Sequence, residues 1–158
     1  MNVTIKTASY SNSRDRKILQ VCLQNWFKNP KELQFTDPRM FYPFDFRKWC
    51  SLSYKDENVT PFIAVIENWI VAYISVKVVP DNRQAHFFHL FVDQKYRKRG
   101  YAKMLLTHAE HFAKELKLKY ITLHVSPKND RAKHIYEQFG FVDNGVTSRG
   151  SIKMKKEL

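Results

Sequence analysis

A short basic turn at residues 97–102 joins a predicted strand to a predicted helix, and its residue types suit the binding of an anion. The turn reads Arg97-Lys98-Arg99-Gly100-Tyr101-Ala102. The first turn of a helix leaves backbone N–H groups without partners and carries a partial positive charge, so it can hold a phosphate. Gly100 permits a close approach of the backbone, and Ala102 adds little bulk. We therefore predict a phosphate site here; the alternative is a solvated basic helix start that contacts nucleic acid.

A second candidate, Tyr136, lies further along the chain. It falls on the apolar face of a predicted helix that follows Asn129 and stops at Gly140. By spacing alone, Tyr136 is typical of a core tyrosine whose hydroxyl has a partner, and Asn129 is typical of a helix cap.

Taken together, the two segments resemble the GNAT superfamily of acyl-CoA-dependent N-acyltransferases. Residues 97–102 match its Arg/Gln-x-x-Gly-x-Gly/Ala motif. Asn129-Asp130-Arg131-Ala132, Tyr136 and Phe139-Gly140-Phe141 are similar to its later Asn-x-x-Ala-x-x-x-Tyr-x-x-x-Gly-Phe motif. Both motifs stand in the usual order and separation. The resemblance covers about residues 60–145, and the first half of the chain matches only in its strand-helix-helix order.

The resemblance implies an α/β fold with a mixed, mostly antiparallel sheet that is splayed between two parallel strands and has helices on both faces. Acetyl-CoA would lie in the V-shaped opening between those strands as a co-substrate, and no metal is implied. The turn would hold the pyrophosphate through the backbone of Arg99, Gly100, Tyr101 and Ala102, with Arg97 and Lys98 beside them. The main chain of Leu90, Phe91 and Val92 would pair with the pantetheine arm as an added strand.

The resemblance also assigns roles to two side chains of the later motif. Asn129 would bond the pantetheine or the far end of the cofactor. Tyr136 would lie near the sulfur and give a proton to the leaving thiolate. Tyr136 is therefore predicted to be both catalytic and in contact with the cofactor.

Acylation of an amine requires a neutral amine, an oxyanion donor and a proton source for the thiolate. Many members of the superfamily use a Glu on the strand before the turn as base. His86 stands at the matching position and is the predicted base. His89 faces the opposite side of an ideal strand, so both histidines serve only if a bulge intervenes. A water relay is the alternative, and a backbone N–H near Val92 is the expected oxyanion donor.

The hydropathy pattern predicts the elements that position these residues. Strands are predicted at 3–8, at 60–79 as a hairpin turning at Glu67 and Asn68, and at 85–92, 120–125, 141–146 and 151–156. Helices are predicted on the stripe Ile18, Val21, Cys22 and Trp26, near 45–53, at 102–116 and at 132–139. The Asn29-Pro30 pair is expected to end the first helix, and the rest of 30–55 to form a loop. Residues 1–158 are assigned to one domain.

Charge and cysteine content indicate the class of partner and the location. Lys and Arg number 27 against 15 Asp and Glu, a formal charge of +12, which favours phosphate-bearing ligands. Cys22 and Cys50 are too few for a disulfide framework and too far apart for a metal knuckle, so a reducing cytoplasmic location is expected. No signal peptide or membrane-length apolar run is recognised, so no membrane is expected. Cys22 is expected to be inert core, which favours direct acyl transfer.

The acceptor is expected to be a primary amine of a small molecule, an amino acid or a protein. The net charge disfavours a polycation, unless the aromatic-rich stretch 35–49 forms an acidic patch around Asp45. Because His86 replaces the usual Glu, a second interpretation stays open, a non-catalytic CoA-binding or nucleic-acid-binding module. Nucleic acid is not the expected partner, and the sequence leaves a homodimer open.

Overall fold

The computed structural model describes residues 2–158, which form a seven-stranded sheet with helices on both faces. In chain order the elements are β1 (Thr4–Thr7), α1 (Ser13–Trp26), α2 (Pro30–Thr36), α3 (Phe46–Ser53), β2 (Val59–Ile66), β3 (Trp69–Val79), β4 (Gln84–Val92), α4 (Tyr101–Glu115), β5 (Tyr120–Val125), α5 (Asp130–Gln138), β6 (Val142–Val146) and β7 (Ile152–Glu157). The strand order is β1-β2-β3-β4-β5-β7-β6, and all neighbours are antiparallel except the parallel pair β4 and β5. In residues 2–158, no helix is long and apolar enough to span a bilayer. The predicted fold class is confirmed.

Strong local signals in the sequence account for several boundaries. Glu67 and Asn68 have φ angles of 49° and 71°, as the two central residues of a tight hairpin turn require. β2 and β3 therefore meet where the sequence predicts. Gly140, with a φ of 104°, follows the end of α5 and allows the chain to leave the helix in the left-handed region.

The first helix buries a face that only partly coincides with the predicted stripe. Leu19, Leu23 and Trp26 are buried, whereas Ile18 and Val21 are 44% and 68% exposed. Both sets follow helical spacing, so the period alone allows either face. The predicted stripe was therefore wrong for Ile18 and Val21, whereas Trp26 is buried as predicted, because the rest of the core decides which face packs.

The helix α2 is missing from the sequence prediction. Asn29 and Pro30 do not simply end α1, because they also begin this next helix. The Asn29 side chain accepts hydrogen bonds from the N–H groups of Lys31 and Glu32, and Pro30 occupies the first helical position, where no N–H is needed. The segment 30–36 is therefore helical rather than loop.

Two apolar cores pack on opposite faces of the sheet. The core under α4 and α5 includes Leu105 and Tyr136. The core under α1, α2 and α3 includes Leu19, Trp49 and Tyr73. The sheet between them therefore carries helices on both sides, as predicted.

The two central strands separate toward their C-terminal ends. β4 and β5 pair only over residues 84–86 and 120–122, although β4 continues to Val92 and β5 to Val125. The register of β4 with β3 passes from Phe88 opposite Ser75 to Phe91 opposite Tyr73, so β4 contains one extra residue. This is a β-bulge, which bends the strand locally. The V-shaped opening that the resemblance implies is present.

Candidate active site

A cavity of about 1310 Å³ opens where β4 and β5 separate. All predicted site residues except one line it, namely His86, Leu90, Phe91, Val92, Arg97, Lys98, Gly100, Tyr101, Ala102, Asn129 and Tyr136. The exception, Arg99, places its guanidinium over the Tyr96 ring, 5.4 Å from the ring centroid. The fold therefore brings the two sequence motifs to one space.

The N-terminus of α4 opens to this cavity without a side-chain cap. Gly100 precedes the helix with a φ of 85°, and the first intrahelical bond runs from the Met104 N–H to the Gly100 carbonyl. The N–H groups of residues 101–103 consequently have no helical partner. The other α-helices within residues 2–158 each have an Asn or Asp cap. A Cβ atom at Gly100 would meet nothing within 4 Å, so an anion can reach these N–H groups.

The Arg97 side chain is bonded to protein groups at the edge of the cavity. Its Nε donates to the Val92 carbonyl at 2.9 Å, and its Nη1 donates to Glu32 Oε1 at 3.0 Å. Burial raises the pKa of Glu32, but the hydrogen bond and charge of Arg97 outweigh it and hold that pKa below its usual value. The ion pair fixes α2 against the turn. Lys98 and Lys103 line the cavity and have no carboxylate partner among residues 2–158.

The end of β4 presents main-chain groups to the opening. The Asp93 N–H donates to the Val71 carbonyl on β3 at 2.9 Å, while the Val92 carbonyl points the other way, to Arg97. In an extended strand the N–H and C=O of one residue share a side, so the Val92 N–H also faces the opening. β4 has no partner strand on this side beyond His86.

Tyr136 is buried, yet its hydroxyl has no hydrogen-bond partner among residues 2–158. The described residues contain no fully buried side-chain polar atom that lacks a partner, so this hydroxyl opens to the cavity. Burial raises the pKa of Tyr136 above its usual value, which keeps the hydroxyl protonated. Tyr10 and Tyr73, by contrast, bond to each other at 2.8 Å. Tyr136 is therefore placed to donate a proton to a ligand.

Asn129 caps α5. Its Oδ1 accepts from the Ala132 N–H at 3.3 Å, and its side chain lines the cavity. The side-chain amide nitrogen keeps its two donors for a ligand. The predicted cap and the predicted ligand contact are therefore compatible.

His86 lies where β4 and β5 part. Its Nδ1 is 2.8 Å from Thr122 Oγ1, which also accepts from Gln84 Nε2 at 2.6 Å. The ring lies edge-on to that of His124 across the opening, with centroids 4.8 Å apart and an interplanar angle of 63°. Burial, together with the charges of His124 and Lys77, lowers the pKa of His86 to about 4. The imidazole is therefore neutral near pH 7, and Nε2 is its nitrogen without a protein partner in residues 2–158.

The β4 bulge brings His89 to the face of the sheet that carries His86. The Phe88 ring neighbours both imidazoles, at centroid distances of 6.2 Å and 4.7 Å. His89 Nε2 lies 2.8 Å from Asp37 Oδ2, and Nδ1 lies 2.7 Å from the Tyr54 hydroxyl. With 4% of its surface exposed and both nitrogens engaged, His89 is closed to an incoming amine.

Asp37 and Tyr54 are absent from the sequence prediction of the site. Asp37 follows α2 and Tyr54 follows α3, and neither belongs to a motif. They meet His89 from 52 and 35 residues away in the chain. The sequence offers only a weak indication of these residues, because each is a polar group at the end of a helix, and the helix before Asp37, α2, is not predicted.

Asp45 does not form an acidic patch in the cavity. Its carboxylate caps α3 by accepting from the Lys48 N–H at 3.1 Å. It lines a separate pocket with Arg16 and Arg47. A polycationic acceptor was expected only if residues 35–49 formed an acidic patch around Asp45, and Asp45 does not form one.

Every carboxylate that lines the cavity in residues 2–158 has a cationic partner. Besides Glu32, these are Asp37, with Arg39 at 2.9 Å, and Asp56, with Lys77 at 3.4 Å. The ends of α2 and α3, with Asp37 and Asp56, form one wall of the cavity, which we call the acceptor wall. Because its carboxylates are paired, this wall has no excess negative charge that could bind the second ammonium group of a polyamine.

Neither cysteine lines the cavity. Burial, with a smaller contribution from the charge of Asp93, raises the pKa of the Cys22 thiol to about 12. Burial also raises the pKa of Cys50. Because the thiolate is the nucleophilic form, neither residue is suited to carry an acyl group.

Comparison with known sequences identifies related proteins. The model of the acetyltransferase (GNAT) family matches residues 21–141. The uncharacterized N-acetyltransferase YycN of Bacillus subtilis (strain 168) is 30% identical over 82 residues, which make up 51% of this chain and 53% of that protein. The alignment thus spans about half the length of this curated relative.

Solved structures with the same fold cover nearly the whole chain. PaiA N-acetyltransferase from Thermoplasma acidophilum, in complex with coenzyme A, has a TM-score of 0.76 at 17% identity, over 100% of both chains. Spermidine N-acetyltransferase from Vibrio cholerae, in complex with CoA and spermine, has a TM-score of 0.77 at 19% identity, over 98% of this chain and 95% of that chain. The ribosomal-protein-S18-alanine N-acetyltransferase from Escherichia coli has a TM-score of 0.73 at 19% identity, over 99% of this chain and 94% of that chain. At these identities the similarity concerns the fold.

Proposed function

Because its family model matches residues 21–141, this chain belongs to the GNAT acetyltransferase family, and we propose that it transfers an acetyl group from acetyl-CoA directly to a primary amine. One observation carries the proposal. The uncapped N-terminus of α4 and the free hydroxyl of Tyr136 line the same cavity, where β4 and β5 part. An anion site and a proton donor in one cleft suit a thioester attached to a nucleotide diphosphate.

The cofactor would lie along the opening from α4 to β4. The N–H groups of residues 101–103 and the charge of Lys98 would hold the pyrophosphate, with the backbone of Arg99 and Gly100 beside it. The free edge of Leu90 to Val92 would pair with the amides of the pantetheine arm. Asn129 would donate to that arm from the other side of the opening. Arg97 would act by shaping the turn.

In the transfer step, the nitrogen of a neutral amine attacks the thioester carbonyl carbon and forms the new C–N bond. The carbonyl oxygen becomes an oxyanion, which the Val92 N–H would stabilise. The C–S bond then breaks with its electron pair on sulfur, and the Tyr136 hydroxyl gives that thiolate a proton. The products are the N-acetylamine and CoA. No covalent acyl-enzyme is required, consistent with the two inert thiols.

The amine must lose a proton before attack and another after it. With a pKa of about 4, His86 is too weak a base to deprotonate a free ammonium group efficiently. We therefore assign the first proton to water. The nitrogen of the tetrahedral adduct is far more acidic, and His86 Nε2 would take its proton when Nδ1–H donates to Thr122.

The charges on the acceptor wall favour a monoamine acceptor over a polyamine. Asp37 and Asp56 are each already paired with a cation, so a second ammonium group would find no free carboxylate. The free thiols of Cys22 and Cys50 fit a reducing, cytoplasmic location.

Two measurements test the proposal. Calorimetric titration with acetyl-CoA should show binding, and an assay of CoA release across matched amines should show turnover with monoamines. Binding without CoA release for any amine would favour the non-catalytic CoA-binding alternative. No binding of acetyl-CoA would overturn the proposal, and salt-sensitive binding of single-stranded nucleic acid in its place would favour the other alternative.

A further inference from the structure

We propose that His89 is a positioning residue that fixes the bulge of β4 and thereby sets the cofactor-binding edge relative to the acceptor wall. The role rests on the proposed acetyl transfer, because it concerns where the acyl-CoA and the amine meet. His89 itself does not touch the reacting atoms.

The bulge has an unfavourable backbone conformation at His89. Between the register pairs Phe88–Ser75 and Phe91–Tyr73, the two residues His89 and Leu90 stand opposite Ile74 alone. His89 has a φ of 58°, in the left-handed region that non-glycine residues rarely adopt. A conformation of this kind persists only where the surrounding structure holds it.

Three contacts hold the His89 side chain in place. Nε2 lies 2.8 Å from Asp37 Oδ2, and Nδ1 lies 2.7 Å from the Tyr54 hydroxyl. The ring stacks on Trp49 with a centroid distance of 3.9 Å and an interplanar angle of 16°. Because Asp37 follows α2, whereas Trp49 and Tyr54 belong to α3 and its C-terminal end, two separate helices fix the position of the ring.

The protons in this cluster have a defined order. Arg39 donates to both oxygens of Asp37, at 3.0 Å and 2.9 Å, so Asp37 is an ionised, acceptor-only group. His89 must then carry its proton on Nε2, and the Tyr54 hydroxyl donates to Nδ1. Tyr54 in turn lies 2.6 Å from Ser75 Oγ, which also bonds to the Tyr73 hydroxyl at 3.2 Å. Each link fixes the orientation of the next.

The bulge determines which residues face the opening. A change of one residue in register would exchange the sides of all later residues on β4. Phe91, whose ring packs 4.8 Å from Trp26 and 5.2 Å from Phe27, would then exchange places with Val92. The main-chain groups available to the pantetheine arm therefore depend on the extra residue that His89 provides.

The same ring anchors the acceptor wall. Asp37 ends α2, and Tyr54 ends α3. Movement of either helix end would displace His89, and movement of His89 would displace the edge at Leu90 to Val92. The His89 side chain thus fixes the position of the edge at Leu90 to Val92 relative to the acceptor wall.

The test compares two tyrosine variants that each remove one buried hydroxyl from the same network. Tyr54→Phe removes the donor to His89. Tyr10→Phe is the matched control, because the Tyr10 hydroxyl bonds to Tyr73 and Trp49, at 2.8 Å and 2.9 Å, but not to His89. His89→Asn is the second test variant, since Asn tolerates the left-handed region but is too short to reach both partners.

Hydrogen–deuterium exchange of the ligand-free protein should show faster exchange at residues 89–92 in Tyr54→Phe and His89→Asn than in Tyr10→Phe. The Kd for acetyl-CoA should rise about tenfold in the two test variants, the loss expected for one misplaced hydrogen bond, and should stay within about twofold in the control. Equal exchange and equal Kd in all three variants would overturn the positioning role. Altered exchange in a protein that never binds acetyl-CoA would overturn the proposed function instead.

Discussion

The guanidinium of Arg97 donates from Nε to the Val92 carbonyl oxygen at 2.9 Å and so ties the end of β4 to the turn before α4. Its second bond, to Glu32 at 3.0 Å, balances its charge. The first arginine of the motif therefore shapes the turn, while Lys98 and Lys103 supply the charge that faces the cavity.

Arg97→Ala should weaken acetyl-CoA binding by about tenfold, and by a similar factor at low and high salt, because the lost contribution is geometric. Lys98→Ala should weaken binding mainly at low salt, since salt screens an exposed charge. Titration of both variants at about 0.05 M and about 0.5 M salt distinguishes the two effects. If the loss of acetyl-CoA binding in Arg97→Ala disappears at high salt, the Arg97 charge instead interacts directly with the phosphate.

Gly100→Glu should abolish detectable binding of acetyl-CoA, because it places a carboxylate beside the free N–H groups of α4. Gly145→Glu is the matched control. Gly145 also has a positive φ, 109° against the 85° of Gly100, a Cβ atom there would make only an ordinary contact at 3.8 Å, and the residue does not line the cavity. The backbone strain is therefore similar in both variants. Equal thermal shifts with acetyl-CoA in the two variants would contradict the assignment of the phosphate site.

Tyr136→Phe should lower kcat by about a hundredfold, the usual contribution of a general acid, with little change in the Kd for acetyl-CoA. The hydroxyl has no protein partner to lose, so the stability of the fold should also change little. Steady-state kinetics and calorimetry on the same preparation separate the two quantities. An unchanged kcat would exclude Tyr136 as the proton donor.

The pH dependence of kcat/KM should follow the amine rather than a histidine. His86 has a pKa of about 4 and stays neutral above about pH 5. The neutral fraction of the amine increases about tenfold for each pH unit below its own pKa, so kcat/KM should rise steadily between about pH 6 and about pH 8. An inflection near the ordinary histidine pKa, lost in His86→Gln, would show that His86 titrates in that range.

The free energy of unfolding should fall as the pH drops from about 6.5 toward about 4. In this window an unfolded histidine binds a proton, whereas folded His86, with its pKa of about 4, does not. The lowered pKa of His89 acts in the same direction. Urea unfolding as a function of pH should therefore show a shallower loss for His86→Gln than for the wild type. His111→Gln, at a side chain 72% exposed, provides the comparison with a surface histidine.

In the second half of the fold, α4 and β5 were predictable because each carries one strong signal. β5 combines β-branched and aromatic residues, and α4 has a single apolar stripe with no competing face. The first half lacked such signals. Two stripes on α1 have equivalent spacing, and α2 is short and begins at an Asn29-Pro30 pair that equally well ends the helix before it.

The residues of the candidate site also fall into a group that the sequence predicts and a group that it does not. The turn at Gly100 and the helix with Tyr136 lie in contiguous motifs, so their residues were named from the sequence, and the structure brings them together. The setting of His89 depends on the register of β4 against β3 and on partners far away in the chain. The left-handed conformation at a histidine has no composition signal, so the cluster with Asp37 and Tyr54 became visible only in the folded chain.

The separation of β4 and β5 also bears on the tendency of the protein to aggregate at high concentration. Strand edges without partners are where foreign chains add and aggregates start. Here the free edges line the cavity between β4 and β5, in the interior of the sheet rather than at its outer border. The enzyme can therefore keep bare hydrogen-bonding groups ready for its ligand without inviting self-association at that edge.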